Sequence, residues 1–255
     1  MAKQLIPAEH YKTRNIFQKD GDNYLRVSEF YSDTIQGEGM FAGTPSAFLR
    51  LTGCTLDCIY CDTTEVWRYG TNWTYSELIK VIEDSHLDEQ LLNGWHLVIT
   101  GGSPLLQQTR IVEFLNSFYN HFGFPPFVEI ENECTLSPIP QLLPWVDCWN
   151  NSPKLSNSGV PFKKRYSALA IGDVARLPNS WFKFVINGEE DWEEIKDNYL
   201  DVRLFTKDQI ILMPRAETRE ALIQIGPMVA ELAIKHGVRY SSREHILLWG
   251  KKVGV

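Results

Sequence analysis

The chain has 255 residues, of which 44% are hydrophobic and 22% charged, and its formal net charge is −7. This size allows one large α/β domain with a buried core, and the acidic balance argues against a general nucleic-acid-binding surface. No apolar run approaches the roughly 18 residues of a membrane span, and the N-terminus has no apolar segment typical of a secretory signal. We therefore expect a cytoplasmic protein that binds neither membranes nor nucleic acids.

Segments typical of β-strands alternate along the chain with segments typical of helices. The strand segments have alternating or continuous apolar residues, and they cover residues 24–31, 46–53, 95–102, 127–133, 180–187 and 209–215. The helical segments cover residues 74–84, 105–123, 189–200 and 217–237. The first helix begins with Thr74 and Glu77 in capping-box spacing, and Gly123 is well placed to end the second. Pro227 is expected to disturb the last helix.

This alternation predicts right-handed βαβ units on a parallel sheet. We expect a single α/β domain, residues 26–255, shaped as a partial (β/α)6-type barrel rather than a flat doubly wound sheet, with residues 1–25 as an N-terminal extension. In either architecture ligands bind beyond the carboxyl ends of the strands. Residues 54–61, 100–104 and 131–133 all lie at such ends, so we expect them to share one site.

Three of the five cysteines, Cys54, Cys58 and Cys61, lie within eight positions. Cys134 and Cys148 stand alone and are interpreted as buried small hydrophobic residues. A structural zinc site needs four ligands, and no second Cys or His pair has finger spacing, although a distant cysteine or histidine stays open as the fourth ligand. A [4Fe–4S] cluster held by only three thiolates leaves one iron open for a substrate or cofactor.

The spacing Cys-x3-Cys-x2-Cys, with an aromatic residue (Tyr60) before the third cysteine, resembles the motif of the radical S-adenosylmethionine (SAM) superfamily. The resemblance implies a [4Fe–4S] cluster on the three cysteines, whose open iron is chelated by the amino and carboxylate groups of SAM. One electron from the cluster, supplied by a donor such as flavodoxin or ferredoxin, would cleave the sulfonium and release a 5′-deoxyadenosyl radical. In such enzymes the cofactor performs the difficult step, while the protein positions it and excludes water.

Longer segments resemble the 7-carboxy-7-deazaguanine synthase (QueE) family of lyases. They are TIQGEGMFAGTPSAFLRLTGC (34–54), CDT (61–63), TGGSPLLQ (100–107), NNSPKLSNSG (150–159), ILMP (211–214) and HILLWGKKVGV (245–255). The family converts 6-carboxy-5,6,7,8-tetrahydropterin into 7-carboxy-7-deazaguanine with loss of ammonia, in the biosynthesis of 7-deazapurines such as queuosine. The resemblance implies hydrogen abstraction from pterin C6, a ring contraction assisted by Mg²⁺, regeneration of SAM, and a homodimer.

Site residues are carried over only where the motifs match. The pterin site is implied at Ile35, Gln36, Gly37, Glu38 and Thr100, with Arg50 pairing bidentately with the substrate carboxylate. For Glu38 the sequence is equally consistent with a carboxylate that faces solvent and binds no ligand. Thr63 would give its hydroxyl oxygen to Mg²⁺. SAM contacts are implied at Gly101, Gly102, Ser103, Glu131, Ser152, Pro153, Lys154, Met213, Pro214 and Arg215. Glu129 should face the same way as Glu131, so either carboxylate could be the one that binds the SAM ribose.

Two positions depart from the family's pattern. Ser103 stands where the family usually has glutamate, and a serine can accept a hydrogen bond from the methionyl ammonium group but contributes no charge. We expect this to weaken SAM binding by about 1–2 kcal/mol unless another carboxylate compensates. The chain also ends in Val255, where many members end in proline.

Three alternative functions stay open from the sequence. The chain could be a glycyl-radical activating enzyme that acts on a protein backbone. It could be a binding or structural protein with a zinc site or an inert iron–sulfur cluster. It could also be a catalytically impaired relative with a regulatory role, for which Ser103 is the motivation.

Overall fold

The structure is a computed structural model that describes residues 2–7, 23–61 and 67–250. Within these ranges ten strands form one sheet. The strands are β1 (Lys3–Ile6), β2 (Tyr24–Ile35), β3 (Pro45–Leu51), β4 (Thr71–Thr74), β5 (His96–Gly101), β6 (Phe127–Asn132), β7 (Cys148–Asn151), β8 (Ser180–Ile186), β9 (Ile210–Pro214) and β10 (Arg239–Tyr240).

The α-helices of the described ranges lie mainly between the strands. They are α1 (Tyr75–Asp84), α2 (Leu87–Leu92), α3 (Gln108–Phe122), α4 (Phe162–Arg165), α5 (Ala168–Ala175), α6 (Glu189–Ile195), α7 (Arg219–His236) and α8 (Glu244–Trp249). None of these helices combines the length and apolar character that crossing a bilayer requires.

The ends of the longer helices follow from the sequence. Thr74 caps α1, and its side chain and that of Glu77 form the expected capping box. Helix α3 ends at Gly123, whose φ of 80° is the left-handed conformation that glycine adopts without steric cost. Helix α7 runs through Pro227 without a break, contrary to the expected disturbance. Pro227 lies on the exposed face, where water can hydrate the carbonyl that loses its partner.

The sheet is mostly parallel, with an antiparallel edge. The order is β1-β2-β3-β5-β6-β7-β8-β9-β10, and β4 also pairs with β2. The pairs from β3 through β10 are parallel, whereas β2 pairs antiparallel with β1, β3 and β4. The predicted α/β class is therefore confirmed. Five of the six predicted strands belong to the parallel part of the sheet, namely β3, β5, β6, β8 and β9. The sixth, residues 24–31, lies in the antiparallel strand β2, and the parallel strand β7 was not predicted. Strand β1 lies inside the predicted N-terminal extension and adds to the sheet.

The core lies between the sheet and the helices that cover it. Leu49, Ile99 and Ile130 from neighbouring parallel strands are fully buried, and they belong to the same apolar cluster as Phe114 and Phe118 of α3. Continuous burial of this kind is typical of parallel strands, which are covered on both faces. Burying these side chains fixes the register of the strands, and the register in turn sets which residues end together at the carboxyl edge.

Candidate active site

A cavity of about 550 Å³ lies at the carboxyl ends of the parallel strands. Six successive strands each contribute a lining residue near their last position, namely Arg50, Thr100, Glu131, Asn150, Val185 and Met213. This is the edge at which parallel α/β sheets bind ligands. The cavity is also of the size that encloses a small organic ligand or cofactor.

The three clustered cysteines enter this cavity from the loop that follows β3. Cys54, Cys58 and Cys61 all line it, and each side chain is partly exposed. The backbone amide of Gly53 donates to the Trp67 carbonyl at 3.0 Å, and the amide of Ile59 donates to the Ser158 carbonyl at 2.9 Å. The loop is therefore anchored just before its first cysteine and between its second and third cysteines.

The chemistry of the thiols suits an iron–sulfur cluster. Burial raises the pKa of Cys54 and Cys58, and neighbouring thiols raise both further. Bound iron would stabilise the thiolates that this environment otherwise disfavours. In the described ranges no three His, Cys, Asp or Glu side chains are placed to bind one single ion, whereas the thiolates of a cluster bind separate irons. The donor set therefore fits a [4Fe–4S] cluster with three protein ligands.

Two glycines at the end of β5 let that strand pack directly against the cysteine loop. A Cβ on Gly101, whose φ is 134°, would lie 2.1 Å from the Leu51 carbonyl oxygen. A Cβ on Gly102 would lie 2.2 Å from the Gly53 carbonyl oxygen and 2.5 Å from the Cβ of Cys54. Only glycine fits at such separations. The pair thus places its backbone beside the first cysteine while still lining the cavity.

A buried network supports the loop that follows β2. The Gln36 side-chain amide donates to Glu129 at 3.4 Å, and Glu129 lies 2.7 Å from Nδ1 of His96. The His96 ring in turn stacks on Phe127, with 3.9 Å between ring centroids. Glu129 is fully buried and is not one of the described residues that line the cavity, whereas Glu131 is. Glu129 therefore holds Gln36, so of these two carboxylates only Glu131 faces the cavity.

Glu38 is the centre of a partly buried ion cluster at the cavity wall. It pairs with the ammonium group of Lys183 and, at 2.8 Å, with Nε of Arg243, and His245 lies 4.0 Å away. Burial alone would raise the pKa of Glu38, but these positive groups hold it well below its ordinary value. Glu38 is thus an ionised carboxylate that faces side chains, not solvent.

Arg50 is held at the cavity by two residues of β2. Its Nε donates to Glu29 at 2.7 Å, and its Nη2 donates to the Tyr31 hydroxyl at 3.2 Å. Burial raises the pKa of Tyr31 to about 12, with Arg50 opposing and Glu29 reinforcing the shift. Beside this group the Thr100 hydroxyl donates to Glu131 at 2.6 Å.

Most of the other predicted site residues line the same cavity. Ile35, Gly37, Ser152, Lys154, Met213 and Arg215 do so. The guanidinium of Arg215 lies 4.8 Å from the ring centroid of Tyr60, the aromatic residue before the third cysteine. Ser103, Pro153 and Pro214 are buried beside the cavity but are not among the described residues that line it. Thr63 and the C-terminal Val255 lie outside the described residues.

Several lining residues were missed from the sequence, chiefly Glu29, Tyr31, Asn150, Lys183 and Arg243. Lys183 interrupts the apolar strand SWFKFVI, and a buried lysine is rare unless it is paired, so this position carried a usable signal. Strand alternation would also have placed Glu29 and Tyr31 on one face. No local pattern marks Arg243, because its carboxylate partner lies 205 residues earlier in the chain.

Comparison with known proteins finds relatives that cover most of the chain. Residues 35–129, which include the cysteine loop, match the sequence profile of a family described as a 4Fe-4S single cluster domain. The chain is 34% identical over 235 residues to the 7-carboxy-7-deazaguanine synthase of Pyrobaculum aerophilum, covering 90% of this chain and 97% of that protein. It is 31% identical to the enzyme of the same name from Halobacterium salinarum, covering 88% of this chain and 90% of that protein.

A solved structure shares the fold. The crystal structure of QueE from Escherichia coli superposes with a TM-score of 0.61 at 22% identity, covering 87% of this chain and 95% of that one. The near-complete coverage of the curated relatives confirms the resemblance seen in the motifs. The chain belongs to the 7-carboxy-7-deazaguanine synthase family.

Proposed function

We propose that the protein is a radical SAM lyase that converts 6-carboxy-5,6,7,8-tetrahydropterin into 7-carboxy-7-deazaguanine with loss of ammonia. Family membership supports this reaction. The observation that carries the proposal is that the three thiols and Arg50 line one cavity. A cluster on those thiols and a carboxylate on that guanidinium would therefore face the same enclosed space. A cavity of this size favours a small substrate over a protein backbone.

Cys54, Cys58 and Cys61 would hold the cluster, and SAM would bind beside it. When bound, the cluster and SAM together supply a 5′-deoxyadenosyl radical, the reagent that removes hydrogen from the substrate. The backbone of Gly101 and Gly102, which packs against the cysteine loop because neither residue has a Cβ, would contact the methionyl amino group of SAM. Glu131, one of whose oxygens accepts a hydrogen bond from Thr100, would accept hydrogen bonds from the ribose hydroxyls of SAM. Ser152, Lys154, Met213 and Arg215 would complete the SAM pocket, with Pro153 and Pro214 setting the backbone there.

Arg50 would bind the substrate carboxylate. A guanidinium has five N–H donors, of which one on Nε is taken by Glu29 and one on Nη2 by Tyr31. The remaining donors suffice for a bidentate pair with a carboxylate. Ile35, Gln36, Gly37, Glu38 and Thr100 would contact the bicyclic ring. Because the Glu38 ion cluster ties their loop to β8 and to the segment before α8, this wall of the site is preorganised.

Several parts of the proposal rest on the family resemblance alone. We propose Mg²⁺ as a cofactor with Thr63 as a ligand, flavodoxin or ferredoxin as the electron donor, a homodimeric assembly and a cytoplasmic location. The product would enter 7-deazapurine biosynthesis, for example that of queuosine.

The test is anaerobic reconstitution with iron and sulfide, followed by incubation with SAM, a reductant, Mg²⁺ and the carboxylated pterin. We expect 7-carboxy-7-deazaguanine, detected by its absorbance and mass, and none from the Cys58→Ala variant. If the wild-type protein forms 5′-deoxyadenosine from SAM but leaves the pterin unchanged, the substrate assignment is wrong. If it assembles no cluster, the whole proposal is wrong.

A further inference from the structure

Glu133, directly after β6, has one carboxylate oxygen with no assigned partner. The residue is 5% exposed and lines the cavity. Its Oε1 accepts hydrogen bonds from Thr135 Oγ1 at 2.6 Å and from Thr55 Oγ1 at 3.1 Å. Its Oε2 is buried and accepts no hydrogen bond from any described residue. Leaving a buried carboxylate oxygen unpaired is costly, so a site that keeps one is expected to receive a donor from a ligand.

A chain of hydrogen bonds ties this carboxylate to the first cysteine of the cluster motif. Thr55, which donates to Glu133, directly follows Cys54 in the sequence. Its backbone amide donates to Ser103 Oγ at 2.9 Å, and the Ser103 hydroxyl lies 3.7 Å from the sulfur of Cys54. The two threonine hydroxyls hold Oε1, which fixes the orientation of the carboxylate and keeps Oε2 directed away from them.

Ser103 is poorly placed to serve a ligand itself. Its side chain is 1% exposed, and its hydroxyl oxygen already accepts from Thr55. It also carries no charge. Glu133 therefore supplies what Ser103 lacks, which is a negative charge at the wall beside Cys54.

The charge at this end of the cavity selects a positively charged ligand group. Three thiolates on a bound cluster and the carboxylate of Glu133 would place negative charge around the same space. A ligand cation that donates hydrogen bonds would offset this charge and satisfy Oε2, and an ammonium group has three such donors.

We propose that Glu133 is a further SAM-binding residue, whose Oε2 accepts a hydrogen bond from the ammonium group of the methionyl moiety. This inference rests on the proposed function, since SAM is the ligand that brings an amino acid to the cluster. Glu133 would then be the carboxylate that compensates for the uncharged Ser103. Glu131, at the end of the same strand, would bind the ribose end of the same molecule, so the two carboxylates would recognise different parts of one ligand.

The test compares two ligands on two variants of the cluster-loaded protein. Dissociation constants are measured anaerobically for SAM and for 5′-methylthioadenosine, which keeps the adenine, ribose and thioether but lacks the amino acid. For Glu133→Gln, which keeps the size and loses the charge, we expect SAM to bind about 10- to 100-fold more weakly, the range for a charge-assisted hydrogen bond. Binding of 5′-methylthioadenosine and the iron content should stay at wild-type values.

Glu131→Gln is the matched control, because it removes a carboxylate of the same cavity wall that faces the ribose. It should weaken both ligands by similar factors. Glu133→Asp, which keeps the charge on a shorter side chain, should bind SAM with an affinity between those of wild type and Glu133→Gln.

Two results would overturn this inference without contradicting the proposed function. One is that Glu133→Gln binds SAM as tightly as wild type. The other is that it weakens both ligands equally, which would make Glu133 a structural residue of the site. A wild-type holoenzyme that binds no SAM would instead contradict the proposed function itself, and this inference with it.

Discussion

Replacing Glu38 by glutamine should destabilise the protein strongly, because Glu38 neutralises positive charges that have little access to water. The side chain of Lys183 is 5% exposed and that of Arg243 is 11% exposed, and both pair with this one carboxylate. Glutamine keeps the shape and one hydrogen-bond acceptor but removes the charge. The Lys183 ammonium group then stays buried without a carboxylate partner.

The size of the effect follows from the burial. Removing one partner of a buried ion pair typically costs about 3–5 kcal/mol, because the other charge remains desolvated. Since glutamine still accepts a hydrogen bond, we expect a loss near the lower limit, about 3 kcal/mol. At roughly 2–4 °C per kcal/mol for a chain of this size, the midpoint of thermal unfolding should fall by about 6–12 °C.

The assay is urea unfolding at pH 7, with Glu189→Gln as the matched control. Glu189 also pairs with two positive groups, Lys235 at 2.8 Å and His236 at 3.0 Å, but its side chain is 43% exposed. Because water screens such a surface pair, it contributes little to the free energy of unfolding. The control should therefore unfold at nearly the same urea concentration as wild type. Combining Glu38→Gln with Lys183→Met should restore much of the lost stability, because the Lys183 ammonium group that lost its partner is then removed as well.

The pH dependence gives a second readout of the same cluster. Because the folded-state pKa of Glu38 lies well below its ordinary value of 4.5, its contribution is present above pH 4.5 and is lost as the pH falls through the folded-state pKa. The stability difference between wild type and Glu38→Gln should therefore narrow as the solution is acidified below about pH 5. If the Glu38→Gln variant unfolds at the same urea concentration as the Glu189→Gln control at pH 7, Glu38 does not stabilise the protein in this way.

Three further variants test the site. Cys58→Ala should abolish both cluster and turnover, measured as iron per chain and product formed, and retention of a full cluster would contradict the ligand assignment. Gly102→Ala should lower the iron content although it removes no ligand, because its Cβ would lie 2.2 Å from the Gly53 carbonyl oxygen and push the cysteine loop away. Arg50→Ala should raise the KM for the pterin while leaving the cluster intact, and an unchanged KM would show that the proposed carboxylate clamp is wrong.

The features that the sequence predicted well are those encoded by neighbouring residues. The capping box of α1 lies within four residues, and the end of α3 is set by one glycine. The three cysteines and the glycine pair lie in short segments at strand ends, so parallel topology alone brings them to one edge. Strands β4 and β7, by contrast, have four residues each, too few for a periodic pattern, and they form because longer neighbours offer a pairing edge.

The features that could not be predicted depend on contacts between distant segments. Glu38 meets Lys183 across 145 residues and Arg243 across 205, so its sequence neighbourhood was equally consistent with a solvent-exposed loop. The distinction between Glu129 and Glu131 was also hidden, since both face the same way on one strand. Only the structure shows that Glu129 contacts the buried His96.

Everything proposed for this protein requires that three cysteines hold a four-iron cluster with one iron open to SAM. The most direct measurement is the electron paramagnetic resonance spectrum of the reduced, anaerobically reconstituted protein, recorded with and without SAM and accompanied by metal analysis. We predict about four irons per chain and a spectrum that changes when SAM is added. Stoichiometric zinc, or an iron–sulfur spectrum that SAM leaves unaltered, would contradict this arrangement.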